Sequence, residues 1–527
     1  MNILTKPKKY ILLAWVLLMS AINLIAQQDS FSKQRVQPND FLELIQDNDV
    51  TFAEVQEAFY TYWRGRTDYK GNGWKVFKRW EYINESRVLP NGRLQSPGYI
   101  KEIYDQYMSQ YDGISSAGGN WSFVAPNSYP INNTSQPTGM GRVNAIAFHP
   151  TDANTIYLGA ASGGFWKSTS GGNTWTNLSN NLPTLGVSSI LIHPSNPNII
   201  YIGTGDRDAD DAEPMGVYYS TDGGSTWNQR NFGMGNVTVG AMVMHPTDAN
   251  TILAATSTGI YKTTDGGAIW HQKTSGNFKD LKLKPGDPNM VYAVKILTPS
   301  EFYRSTNNGD TWTKITSGIP TSGIGSRMVI GVSPANANIV YLVQILSSNK
   351  NFAGLLRSTD SGLSFSTQST SPNIFDYACD GSGTSSQATY DLCIAVDPTN
   401  ANTLYVGSIN NWKSNDGGVT WSIVSHWSND CSIGISELHA DQHVYEWSPL
   451  NEQLYMGHDG GISYTNNGGV SWTEITGNLG ITQIYRIGQS STESNHILLG
   501  MQDNGSAASI GSVFTTTRGG DGTECII

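Results

Sequence analysis

"STDGGSTW", residues 220–227, is a polar turn that ends on a tryptophan, and versions of it recur along the chain. The pattern is Ser/Thr-x-Asp-x-Gly-x-Thr-Trp, and its final aromatic falls at Trp175, Trp227, Trp270, Trp312, Phe365, Trp421 and Trp472, 42 to 56 residues apart. Asp222 is placed to accept hydrogen bonds from the backbone of its own turn. Gly223 and Gly224 permit a positive φ there. Asp265, Asp360 and Asp416 hold the same position in other copies, whereas Ser170, Asn307 and Asn467 replace the aspartate. A catalytic carboxylate does not tolerate such replacements; a turn that needs only a hydrogen-bonding side chain does. The motif is therefore read as structural.

Upstream of most copies stands a second signature, as in "VNAIAFHPTDANTIYLGAASGGFWKS" (143–168) and "LCIAVDPTNANTLYVGS" (392–408). Each repeat reads as a short strand, a Pro-Asn turn, an apolar strand, a loop, a third strand, the Asp turn and a last strand. Short strands repeated at this period indicate propeller blades. The fold class expected is all-β: a β-propeller of about seven complete four-stranded blades plus a partial one, after a small N-terminal helical region. With strands a to d counted outward from the axis, the a–b and c–d turns share one face. The b–c and d–a loops share the other. His149, His193 and His245 precede proline in a–b turns and are read as turn residues, not metal ligands.

These repeats resemble Asp-box, bacterial neuraminidase-type repeats, in an arrangement similar to sortilin-type domains. The phrase "GAASGGFWKS" and the prelude "YWRGR…GWKVFKRWEYINESRV" resemble secreted, glycosyl hydrolase-like bacterial proteins of type IX secretion. The likeness extends over about residues 120–527. It is specific for the fold and weak for function, because one fold hosts unrelated activities. It also implies further repeats and a sorting domain beyond Ile527, since the last blade reads as unfinished; alternatively "NWSFVAP" (120–126) supplies the strand that closes the ring.

Residues 1–26 read as a secretory signal peptide, with Lys6, Lys8 and Lys9 before an apolar run and a cut after Ala26. A secreted or cell-surface protein is expected, with no transmembrane segment after cleavage. Residues 27–118 read as helical region and linker, with Phe52, Val55, Phe59 and Tyr62 at helical spacing, and 119–527 as the propeller, incomplete at its C-terminus. The net charge of −11, with only 14% charged residues, argues against nucleic-acid binding. Of four cysteines, Cys379 and Cys393 flank a Gly/Ser-rich loop and are the expected disulfide pair.

Chemistry is expected on the b–c and d–a face. In "GTGDRDADDAE" (203–213), Asp206, Asp208 and Asp210 alternate as in a calcium loop, so calcium is the candidate cofactor. The glycine wanted at the sixth loop position is absent. "ELHADQH" (437–443) carries His439, Asp441 and His443 at spacing two, which on a strand would share a face for a polar ligand or a metal. "GHDGG", "GMQDNGS" and "GGDGTEC" add Asp459, Asp503 and Asp521, with Gln502 and Asn504 as ligand-binding candidates. Asp441, Asp459, Asp503 and Asp521 are the candidate catalytic carboxylates, because glycoside hydrolysis uses a pair across a cleft. A sialidase is disfavoured: "YRIG" (485–488) lacks the proline of that family's motif and stands in the wrong place. Two functions remain: a binding module for a polysaccharide or an extracellular or surface protein, and a glycoside hydrolase.

Overall fold

The computed structural model describes Leu44 and residues 50–66, 74–96, 98–110, 123–134, 136–428, 434–511, 513–523 and 525–527. The signal peptide, the Gly113–Gly119 linker, the start of "NWSFVAP" and Cys431 lie outside the described residues. No helix among them is long and apolar enough to cross a membrane. The chain divides into two compact units, Met1–Ser96 and Pro97–Ile527.

The first unit contains helices Phe52–Trp63 and Trp74–Glu85. Thr51 caps the first in a capping box with Glu54. The helical spacing buries Phe52, Val55 and Phe59, and Phe59 stacks on Phe77 with ring centroids 3.6 Å apart. Glu81 is satisfied by Gln56, Tyr60 and Lys78.

The second unit opens with helix Tyr99–Gln110 and continues into eight antiparallel sheets in sequence order. Seven of these are the blades of one ring. Their innermost strands are Val143–Phe148, Val187–Ile192, Val239–His245, Phe278–Lys284, Ile324–Val332, Cys393–Val396 and Gln442–Trp447, and each packs on the next. The last packs back on the first, so seven blades close the circle. Apolar side chains of blades 1 and 7 form one core, including Val143, Ile146, Tyr455, Ile462 and Ile475.

The eighth sheet lies outside this ring. Its strands Ile484–Gln489, His496–Met501, Ser506–Ile510 and Val513–Arg518 are all present, so the repeat that reads as unfinished already has four. The short strand Ile131–Asn132 adds to its outer edge in parallel, Ile131 opposite Thr515. This short strand adds to the extra sheet and not to the ring, because blade 7 already has its own outer strand, Thr473–Glu474.

The Asp turns are structural, as their sequence variation implies. Asp222 accepts from the Thr226 N–H at 2.8 Å, the Thr226 hydroxyl at 2.6 Å and the Ser220 hydroxyl at 2.8 Å. Gly223 and Gly224 have φ of 73° and 95°. In the variant copies Ser170, Asn307 and Asn467 accept the equivalent N–H from Thr174, Thr311 and Ser471. The tryptophans then stitch blade to blade: the Trp227 indole donates to Leu178 O and the Trp270 indole to Arg230 O, one blade back. His149, His193 and His245 accept turn N–H groups on Nδ1, from Asp152, Asn196 and Asp248 respectively.

One disulfide expectation fails. Cys379 is disulfide-bonded, but Cys393 is a free, buried thiol. Cys393 begins the innermost strand of blade 6, where its side chain packs with Leu438 and Tyr445 against blade 7.

Candidate functional site on the loop face

The 203–213 loop joins strands b and c of blade 2, yet its carboxylates reach across the ring. Asp208 Oδ1 accepts from Lys279 Nζ at 2.8 Å and from Arg327 at 2.9 Å, and Oδ2 faces His443 Nδ1 at 3.0 Å. Those three partners stand on the innermost strands of blades 4, 5 and 7. A side chain that touches all three sits at the axis, so the loop plugs the channel. Arg207 adds a bond to His443 O at 2.8 Å. Asp206 turns to Arg142 at 2.5 Å and to Asn144 at 2.9 Å, while Asp210 is exposed. The three residues expected to cradle calcium are therefore dispersed, and two of them are matched by protein cations. Burial alone would raise the Asp208 pKa; Lys279, Arg327 and Arg207 instead hold it well below the usual carboxylate range.

His443 links this plug to the mouth. Its Nε2 faces Asp459 Oδ1 at 2.8 Å. A carboxylate on each ring nitrogen favours the doubly protonated ring, whose two N–H groups both donate. Burial would lower its pKa, but Asp459 and Asp208 outweigh that and raise it. The expected strand face of His439, Asp441 and His443 does not form, because the strand starts only at Gln442. His439 instead contacts Ala440 O at 3.1 Å and stacks on His458.

Three of the four candidate carboxylates converge. Asp441 ends the d–a connection into blade 7, Asp459 begins the b–c loop of blade 7, and Asp503 lies in the corresponding loop of the eighth sheet. One oxygen from each lies within 4.8 Å of the others, so these residues are the ones placed to hold a metal. Asp521 stands behind them: it accepts the Asp503 N–H at 3.2 Å and braces that loop. Asn504 crosses the junction, donating to Asp459 O at 3.1 Å. Gln502 is fixed through its backbone to Gln483.

The carboxylates titrate apart. Burial would raise Asp459, but His443, Arg142 and the Tyr390 hydroxyl hold it at about 2. Burial, with Asp391, Asp459 and Asp503 nearby, pushes Asp441 well above the usual range, and Asp441 hydrogen-bonds to Asp391. Burial raises Asp391 to about 7. Asp441 Oδ1, Gln502 Nε2 and Asn504 Oδ1 are buried with no hydrogen-bond partner in the protein. Buried polar atoms are normally satisfied, so such a group asks for a ligand or water.

Tyr390 and Asp391 were not among the sequence candidates. Tyr390 donates to Asp459 Oδ2 at 2.7 Å, lies edge-on to His443 and has the Arg142 guanidinium 5.2 Å over its ring. Their signal was positional: "ATYDLC" enters strand a of blade 6 just as "HADQH" enters that of blade 7. Half-buried Tyr377 and Trp427 complete the surroundings, edge to face at 5.8 Å. Asp441 and Asp503 are close enough to Tyr377 to help burial raise its pKa.

A model of the sortilin (neurotensin receptor 3) family matches residues 215–319. This is an Asp-box β-propeller. It is distantly related to xyloglucanases: it is 30% identical over 165 residues to the xyloglucanase Xgh74A of Acetivibrio thermocellus, covering 27% of this chain and 19% of that protein. To a Paenibacillus xyloglucanase it is 29% identical over 220 residues, 37% of this chain and 21% of the relative. The matches thus span about a fifth of these relatives. Among solved structures, an ancestral GH74 enzyme superposes with a TM-score of 0.54 at 18% identity, over 74% of this chain and 56% of its own. The GH74 xyloglucanase of Xanthomonas campestris gives 0.52 at 17%, over 70% and 59%. At such identities the likeness is one of fold.

Proposed function

We propose that this protein is an exported or cell-surface propeller that binds a polysaccharide on its loop face, at the junction between the ring and the eighth sheet. One observation carries the reading: Asp441 Oδ1, Gln502 Nε2 and Asn504 Oδ1, two acceptors and a donor, are buried there without partners, on loops that meet. Hydroxyl groups of a sugar satisfy both kinds of atom at once. Tyr377, close to Asp441, and Trp427, which packs on Tyr377, offer the apolar contact that sugar-ring faces favour. The xyloglucanase kinship makes a β-linked plant glycan the first ligand to try. A panel of soluble polysaccharides, xyloglucan included, tests this by calorimetry on wild type and Tyr377→Ala. Saturable binding weakened by the substitution supports the reading; no binding across the panel, with a surface protein captured instead, contradicts it.

A hydrolase is the second reading, favoured by the opposite shifts of Asp459, lowered to about 2, and Asp441, pushed upward, since divergent titration marks acid and base partners. One feature opposes it. Both oxygens of Asp459 already accept hydrogen bonds, from His443 and Tyr390. Release of reducing ends from xyloglucan, lost in Asp441→Asn, would establish hydrolysis over binding alone.

A further inference from the structure

We infer that Asp441, Asp459 and Asp503 form a site for a hard divalent cation of calcium size, tying the eighth sheet to the seven-bladed ring. The first ground is metric. One carboxylate oxygen from each residue lies within 4.8 Å of the other two. The centre of such a triangle is at most ~2.8 Å from every corner, and a slight closing of the loops reaches the 2.3–2.6 Å, roughly, that calcium takes from oxygen.

The second ground is an unfilled ligand atom. Asp441 is 6% exposed, and its Oδ1 has no hydrogen-bond donor. Asp391 already takes the hydrogen bond that this side chain makes. A buried carboxylate oxygen with nothing to bind is satisfied by a cation at the centre of the triangle.

The third ground is charge. Asp391, Asp441, Asp459 and Asp503 crowd one mouth, and the two cations beside them are shared with other carboxylates. Arg142 is held by Asp206 and Asp211, and His443 lies between Asp208 and Asp459. The channel loop shows the opposite balance, with Lys279, Arg327 and Arg207 around Asp208. Like charges in a buried site repel strongly unless a counter-charge enters. The cation site therefore belongs at the ring–sheet junction and not in the 203–213 loop.

The consequence is mechanical. Asp441 and Asp459 belong to blade 7, whereas Asp503 belongs to the eighth sheet, so the ion bridges two bodies otherwise joined there by Asn504. Three carboxylates leave coordination positions over for water. This inference shares Asp441 Oδ1 with the glycan reading, and the metal alone as probe separates the two.

The full chain is stripped with chelator and titrated with calcium chloride and with manganese chloride, by calorimetry and by thermal melting. The expected result is one site per chain, with a melting temperature that climbs with the logarithm of cation concentration, as linkage requires. Asp503→Asn should weaken binding at least tenfold, whereas Asp208→Asn should retain the site if it folds. Manganese-soaked wild-type crystals give a readout free of folding effects: an anomalous peak among the three carboxylates supports the site. No heat and no melting shift up to ~10 mM cation, undiminished binding by folded Asp503→Asn, or a peak at residues 203–213 instead would overturn it. Absence of glycan binding by the cation-loaded wild type would count against the glycan reading alone.

Discussion

The indole of Trp175 donates to the carbonyl of Ile475 at 2.8 Å, across 300 residues of sequence. This is the blade-to-blade stitch seen at Trp227 and Trp270, made here between the first blade and the seventh. The Asn478 side chain adds a second bond, accepting the Trp175 N–H at 2.7 Å. The ring is thus closed by the repeat motif itself, with no strand exchanged.

Trp175→Phe should keep the apolar contact and lose the indole bond, at a cost of about 1 kcal/mol. Trp175→Ala should cost about 3–5 kcal/mol through the cavity it leaves. Urea denaturation followed by tryptophan fluorescence and circular dichroism measures both. Equal, negligible effects would mean that the ring does not depend on this closure.

The Asp turns predict acid sensitivity. Hydrogen bonds from Thr226 and Ser220 depress Asp222 to about 2, and the Thr420 and Ser414 bonds do the same for Asp416. Unfolded aspartate titrates near ~3.9. Because the folded pKa is the lower one, the stabilisation is complete above about pH 4 and is lost as pH falls toward 2. Asp416→Asn, which keeps the acceptor that Asn307 uses, should cost little at pH 7 and flatten the loss below pH 4. Thermal melts from pH 2 to 7 decide it; an identical acid slope in the variant counts against the turn as its source.

Asp208 should be costly to remove. Asp208→Asn leaves Lys279 and Arg327 buried without a carboxylate, and breaking such a pair costs about 3–5 kcal/mol. Replacing Asp210, which is exposed, should change stability by no more than ~0.5 kcal/mol. Comparable losses for the two would contradict the placement of Asp208 at the axis.

Thiol mapping checks the cysteines. Alkylation of the unfolded, unreduced chain should modify Cys393 and leave Cys379 unmodified until reductant is added. Peptide mass spectrometry reads the result, and a Cys379–Cys393 cross-linked peptide would refute it.

The repeat was legible because every copy carries its own turn chemistry: Ser220, Asp222, Gly223 and Thr226 act on one another within seven residues. The same locality placed Asp441, Asp459 and Asp503 on one face, since strand order alone sends b–c and d–a loops there. Long-range facts were not legible. Nothing local to "GDRDADDAE" indicates that Lys279, Arg327 and His443, from three other blades, will reach Asp208. An acidic run that reads as a calcium loop in isolation becomes a channel plug once the ring brings cations to it. Cys379 and Cys393 are close in sequence, but Cys393 is committed to a buried innermost strand, and sequence distance does not show that. In sequence the eighth sheet reads as an unfinished blade because its last strand, Val513–Arg518, lacks the Asp turn that marks the others.

The central claim, a ligand site at the ring–sheet junction, is tested most directly by calorimetric titration of soluble xyloglucan into three proteins: wild type, Gln502→Ala and Asp222→Ala. The Gln502 side-chain nitrogen makes no bond within the protein, but its oxygen accepts from Gln483 Nε2 at 3.5 Å and the side chain is buried, so the melting temperature of Gln502→Ala is measured alongside to confirm that the variant folds. The account predicts saturable binding by wild type, at least tenfold weaker binding by Gln502→Ala, and unaltered binding by Asp222→Ala, whose turn lies on the opposite face. Unchanged affinity in Gln502→Ala with affinity lost in a folded Asp222→Ala would place the site on the Asp-turn face and contradict the account.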